Sequence, residues 1–150
     1  MAMDGEQARA LFDEASKRNL FLMEGMWTRF LPNTIKAKGW IDAGRIGRVR
    51  FIDGMFSFPV SPDPKPRLVR PELGGGAMLD VGVYTVEMAC WFAGENPAQW
   101  EAVCEPFVPG VDGTSAMLLR FPGGALATLR NGIDCPGGAS MTIWGEKGRI

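Results

Sequence analysis

Asp80 and Tyr84 stand four residues apart in the run Gly74-Gly75-Gly76-Ala77-Met78-Leu79-Asp80-Val81-Gly82-Val83-Tyr84. On a helix that spacing sets a carboxylate and the chain's single phenol on one face, one turn apart. A phenol ordinarily keeps its proton at neutral pH, so this one can donate a hydrogen bond or a proton to a developing alkoxide. A carboxylate beside it makes a phenol harder to ionise, and taking a proton from a substrate needs a third, positive group. On spacing alone, a solvated Asp with a half-buried Tyr is the simpler account and takes precedence. The chain has no histidine, which excludes imidazole bases, histidine-dependent triads and histidine-ligated metals. Acid–base work at neutral pH therefore falls to carboxylates, Lys, Cys or Tyr.

The glycines of Gly74-Gly75-Gly76 allow a close backbone approach, and such a turn before a helix can cradle phosphate at the helix N-terminus. Neither a GxGxxG after a strand nor a Walker sequence is present, and the loop before the glycines is rich in proline. The strand–turn–helix context of a cradle is thus missing, and a tight turn packing the helix against a neighbouring domain is the reading adopted. Trp27 and Arg29 could pair as an aromatic wall and a cationic anchor, although composition alone puts Trp27 in the core and Arg29 on the surface. Arg67 and Arg70 could hold an anion, but a solvated loop explains them better. Cys90, Cys104 and Cys135 are odd in number and form no CxxC. That argues against a disulfide framework or a zinc site, and for small buried hydrophobes in a reducing compartment.

The elements that must position these groups are legible as patterns. Asp4 and Gln7 resemble a capping box, and Ala8, Leu11, Phe12 and Ala15 follow at helical spacing, predicting a helix over 4–18 with Asn19 as its stop. Phe21-Leu22-Met23-Glu24 reads as a buried strand. A helix running at once into such a strand looks like the end of an α/β unit without its beginning, a first sign of truncation. After the aromatic and basic link Met26 to Pro32, a helix is expected over 33–43 with Gly44 as its stop. A strand is expected over 49–58, a proline-rich loop over 57–71, and a helix over 77–92. Beyond Pro97 the character turns to β. Trp100, Ala102 and Cys104 alternate with other residues. Strands over 114–120 and 125–131 flank Phe121-Pro122-Gly123-Gly124, a hairpin signal. A strand over 140–144, the turn Gly145-Glu146-Lys147-Gly148 and an unfinished strand at Arg149-Ile150 close the chain, a second sign of truncation.

The 150 residues fit one domain or part of a larger one. Sixteen basic and seventeen acidic side chains nearly cancel, with no basic stripe, so a nucleic-acid binder or a membrane-attracting surface is not expected. The apolar stretch around Met78 to Phe92 carries Asp80 and Glu87, which argues against a membrane span. No signal peptide is recognised near Met1, and the cytoplasm is the expected location.

Taken in order, the strings Phe21 to Pro32, Gly44-Arg45-Ile46-Gly47, Pro71 to Tyr84 and Gly145-Glu146-Lys147-Gly148 resemble the Gfo/Idh/MocA oxidoreductases. The branch most similar holds dimeric dihydrodiol dehydrogenase and D-xylose dehydrogenase (NADP). The resemblance spans essentially the whole chain; the glycine–Asp–Tyr string is its specific part and Met26-Trp27-Thr28-Arg29-Phe30 supports the branch. It implies a two-domain enzyme: a Rossmann half that binds NADP or NAD, then an α+β half with an open, mostly antiparallel sheet, helices on one face and the other face often a dimer contact. It implies that Asp80 and Tyr84 are catalytic, aided by a lysine from a Glu-Lys-Pro motif of the first half. Trp27, Arg29 and Phe56 are the expected substrate-binding residues, Trp27 and Phe56 matching pocket positions of the branch. The chain departs from the family in having no GxGxxG, no acidic ribose-binding residue after it and no Glu-Lys-Pro.

Residues 1–24 are accordingly expected to be the last helix and strand of a Rossmann domain, and 25–150 a truncated substrate-binding and dimerisation domain. The expected function is the substrate half of an NAD(P)-dependent enzyme moving a hydride between nicotinamide and a sugar, polyol or cyclic diol, as a homodimer and without a metal. The rival is a non-catalytic dimerisation or small-sugar-binding module. A stable dimer without any cofactor response in the ultracentrifuge would favour the rival.

Overall fold

The structure, a computed structural model, describes residues 2–61 and 67–150. The middle of the proline-rich loop expected over 57–71 lies outside the described residues. The first helix, α1, runs Gly5–Lys17, where Asp4 caps it by accepting from Gln7 N at 2.8 Å. Gln7 reaches back one residue beyond the cap, its Oε1 accepting from Met3 N at 3.1 Å. The stop at Asn19 is real: this residue takes φ 51°, the left-handed conformation that Asn tolerates. Helix α1 buries none of its residues.

The expected strand at Phe21–Glu24 is not formed. The segment has no strand partner among the described residues, and Phe21 is 87% exposed. A strand cannot exist without a hydrogen-bonding neighbour, so an apolar run alone does not make one. Trp27–Phe30 instead forms a short 3-10 turn, and α2 follows over Pro32–Asp42 with proline in its first turn, where the missing N–H costs nothing. Gly44 ends it at φ 69°.

Six strands make one sheet: β1 Val49–Ser57, β2 Gln99–Val108, β3 Val111–Arg120, β4 Leu126–Gly132, β5 Gly138–Gly145 and β6 Gly148–Arg149, in the order β2-β3-β4-β1-β5-β6. Every neighbouring pair is antiparallel except β1 with β4, which run parallel from Phe51↔Leu126 to Ser57↔Gly132. A parallel pair needs a crossover, and the chain between these strands supplies it, carrying α3 (Val83–Ala93) across one face. On that face Ile52, Ala127, Leu129, Leu119 and Ile143 pack against Met88, Ala89 and Phe92 of α3.

Strand alternation sends the next row outward. Register aligns Glu101, Leu118, Thr128, Asp53 and Thr142 across five strands. Leu118 and Val103 are 58% and 72% exposed there. The architecture is the expected α+β one: an open, mostly antiparallel sheet with helix α3 on one face.

Candidate active site

The glycine turn shapes everything that follows it. Gly76 N donates to Leu68 O and Gly75 N to Arg70 O, both at 3.0 Å. A Cβ on Gly75 would lie 2.6 Å from Leu68 O, so only glycine permits this approach. From β3, Asp112 then reaches the start of the helix, its Oδ2 accepting from Met78 N at 2.7 Å. A carboxylate is stabilised at a helix N-terminus by the exposed N–H groups and the dipole. Because Asp112 already fills that position, the turn does not serve as a phosphate cradle.

The helix expected over 77–92 does not begin as an α-helix. Met78–Gly82 is a π turn, in which Val83 N donates to Met78 O, and α3 continues from it. Such wide turns are rare and cluster at functional sites. Its footing is a buried polar chain. The Thr85 hydroxyl donates to Asn131 Oδ1 at 2.7 Å and lies 3.0 Å from Gly82 O, and Asn131 Nδ2 reaches Ser115 Oγ at 3.4 Å. Gly82 passes close to this chain: a Cβ there would meet Met78 Sδ at 2.8 Å and Asn131 Nδ2 at 3.4 Å. Buried polar groups are tolerated because they are paired, and stranding one costs about 1–3 kcal/mol.

Asp80 emerges from the π turn and Tyr84 from the first turn of α3; both are half-buried, and neither is sealed in the core. The Tyr84 ring meets Phe56 of β1 edge-on at 5.8 Å between centroids and Trp27 at 6.1 Å. Phe56 in turn touches Phe58 at 6.0 Å. These rings open on a cavity of about 380 Å³ whose walls include Trp27, Leu31, Asn33, Phe56, Tyr84 and Met141. Asp80 Oδ1 accepts from the Arg67 guanidinium, which also donates to Gly74 O at 3.1 Å.

Trp27, Phe56 and Tyr84 are thus brought together at one cavity, while Asp80 stands one turn earlier on the helix, paired with Arg67 and not among the cavity walls. Arg29 is elsewhere. Two residues apart on a helix of three residues per turn point in different directions, so while Trp27 meets Tyr84, Arg29 forms an ion pair with Glu87 and lies over Trp91 at 5.3 Å. It lines a second cavity of about 740 Å³ with Glu87, Trp91 and Met23, and is absent from the walls around Tyr84. Burial pushes the Glu87 carboxyl above the usual carboxylate range, opposed by the Arg29 charge. Trp27 itself is 55% exposed, not a core residue.

Sequence reading missed Asp112, Asn131 and Thr85, and took Arg67 for a solvated side chain. The glycines signalled a close approach but not what approaches. Arg70 pairs with Glu72 two residues away. Among the described residues no cluster of three or more metal-ligating side chains occurs, and no helix is long and apolar enough to cross a membrane.

The profile of the GFO/IDH/MocA C-terminal domain family matches residues 34–150. A trans-1,2-dihydrobenzene-1,2-diol dehydrogenase of Xenopus laevis is 37% identical over 151 residues, covering 100% of this chain and 45% of that protein. Among solved structures, an aldose-aldose oxidoreductase from Caulobacter crescentus superposes with a TM-score of 0.91 at 27% identity, covering 99% of this chain and 46% of the other. A variant of a 3-ketoreductase from Actinomadura kijaniata, solved with TDP-benzene and NADP, superposes with a TM-score of 0.85 at 30% identity over 99% and 46% of the two chains. The chain therefore spans about 45% of the length of the curated relative it matches.

Proposed function

Because this chain belongs to the GFO/IDH/MocA family, we propose that it is the substrate half of an NAD(P)-dependent dehydrogenase acting on a carbinol of a sugar, polyol or cyclic diol. The observation that carries the reading is the Tyr84 phenol, half-buried between the edges of Trp27 and Phe56 at the wall of a cavity of about 380 Å³. Mostly apolar walls interrupted by Thr28, Asn33, Thr34 and Ser140 suit a ring whose faces stack on aromatics and whose hydroxyl meets the phenol. The relatives named above, a diol dehydrogenase and an aldose oxidoreductase, point to the same chemistry.

No described residue is assigned to the dinucleotide phosphates, since Asp112 occupies the helix N-terminus behind the glycine turn. The cofactor supplies the hydride acceptor when bound, and a dinucleotide-binding half holds it. The work of this chain is to bind, orient and move a proton. Tyr84 takes the hydroxyl proton of the substrate in oxidation and returns it in reduction. A lysine from the other half eases ionisation of the phenol, and Asp80 orients that pair. Proton transfer of this kind contributes about a hundred- to ten-thousandfold. Trp27 and Phe56 set the plane of the substrate ring. Under the same reading, residues 1–24 belong to the dinucleotide half and 25–150 to the substrate half. The exposure of Phe21 and Met23 is then the surface that the other half covers. Cys104 and Cys135 are exposed and Cys90 is half-buried, so the cysteines are not the small buried hydrophobes expected; thiols open to solvent suit a reducing cytoplasm.

The chain alone is expected to bind NADP weakly. Calorimetric titration should give no micromolar binding, whereas a protein joining this chain to its dinucleotide half should bind NADP or NAD and reduce it with a sugar or trans-diol. Micromolar NADP binding by the chain alone would put the phosphate site here and overturn the division of labour.

The outward sheet face is assigned to a second copy of the chain. Leu118 and Val103 are exposed on it, flanked by Glu101, Thr128 and the Asp53–Arg130 ion pair, a mixture of apolar centre and polar surround typical of interfaces. Sedimentation of the protein joined to its dinucleotide half should report a dimer, and Leu118→Glu in that protein should yield monomers. A monomeric parent, or a dimer indifferent to Leu118→Glu, removes this surface from the assembly.

A further inference from the structure

We propose that Arg67 is a positioning residue for the dehydrogenase reaction, holding Asp80 in place through a two-point grip; the inference rests on the reading of Asp80 and Tyr84 given above. The side chain makes two contacts at once. One donor goes to the Gly74 carbonyl at 3.1 Å and another to Asp80 Oδ1. A planar guanidinium can hold two acceptors in a fixed relation, which a lysine ammonium cannot reproduce.

The anchor of this grip is itself fixed. Leu68 O accepts from Gly76 N and Arg70 O from Gly75 N, and the Arg67 carbonyl would lie only 2.9 Å from a Cβ on Gly75. The backbone at Arg67 and the entrance to the catalytic helix therefore move as one piece. Asp80, by contrast, sits in the π turn, and no residue three to five positions away on either side carries a positive charge. Among the described residues its only side-chain partner is Arg67, and Oδ2 accepts no hydrogen bond. Without the grip the carboxylate is free to change rotamer, at little energetic cost. With it, one oxygen is engaged and the other is left for the proton-handling pair.

Stability does not explain the contact. The Arg67 side chain is 50% exposed and that of Asp80 21%, and an ion pair open to water on its cationic side contributes about 1 kcal/mol or less to folding. A functional role thus predicts a loss in turnover without a matching loss in melting temperature.

The test uses the enzyme that carries this chain with its dinucleotide half. Arg67→Met should lower kcat about ten- to hundredfold, the scale of a misplaced catalytic group, with cofactor KM and melting temperature unchanged. Arg67→Lys should recover part of that loss. Asp80→Asn should lower kcat as well, and the double variant Arg67→Met/Asp80→Asn should be no slower than Asp80→Asn, because residues acting through one group are not additive. If the parent enzyme is active, Asp80→Asn is impaired and Arg67→Met keeps the parental kcat, the inference is wrong while the function stands. Additive losses in the double variant also overturn it. A parent that reduces neither NADP nor NAD with any sugar or diol removes the function, and this role with it.

Discussion

Tyr84→Phe should lower turnover by at least about tenfold, and by about a hundred- to ten-thousandfold if the phenol carries the whole proton transfer, while cofactor affinity and melting temperature hold. The substitution is unusually clean here. Phe keeps the ring that meets Phe56 at 5.8 Å and Trp27 at 6.1 Å, so the cavity wall and its edge-on contacts survive. Among the described residues the Tyr84 hydroxyl makes no hydrogen bond, so its removal strands no partner. What disappears is the only phenolic O–H in the chain, in a chain with no imidazole to replace it. Stopped assays of diol or sugar oxidation in the enzyme joined to its dinucleotide half would measure the change. Unaltered kcat would take Tyr84 out of the mechanism and leave the cavity as a binding site only.

Gly76→Ala should lower folding stability by about 2–4 kcal/mol. Two causes combine. Gly76 takes φ 121°, a backbone conformation that L side chains rarely adopt and that costs about 1–3 kcal/mol. The new Cβ would also fall 2.1 Å from Asp112 Oδ1, and that carboxylate must then leave Met78 N, uncapping the helix that bears Asp80 and Tyr84. Urea unfolding monitored by the chain's five tryptophans gives the midpoint shift. Adding Asp112→Ala relieves the steric part but neither the strain nor the lost cap, so the double variant should remain clearly less stable than the parent. A shift under about 0.5 kcal/mol, the size of an ordinary surface change, would mean that the turn relaxes freely and that Asp112 is not the cap.

The sequence by itself determined the elements whose causes lie within a few residues. Asp4 caps α1 through a residue three positions on, Gly44 and Asn19 stop helices by their own backbone preferences, and Phe121 to Gly124 turns β3 into β4. It also placed a carboxylate and a phenol four apart on one helix, and its motifs brought the aromatic positions Trp27 and Phe56 into the reading.

Tertiary structure decided whatever depends on partners far along the chain. Phe21 to Glu24 has the composition of a strand but no neighbour to pair with, and β1 is parallel to β4, which lies about seventy residues away, because α3 carries the chain across the sheet. Asp112, 34 positions from Met78, fills the place that a phosphate would take. Arg29 meets Glu87 rather than standing beside Trp27, because the turn that carries both aims them apart. Local geometry propagates through bonds and can be read in order; charge pairing and close approach arise only when distant segments meet, and no spacing rule encodes which ones will.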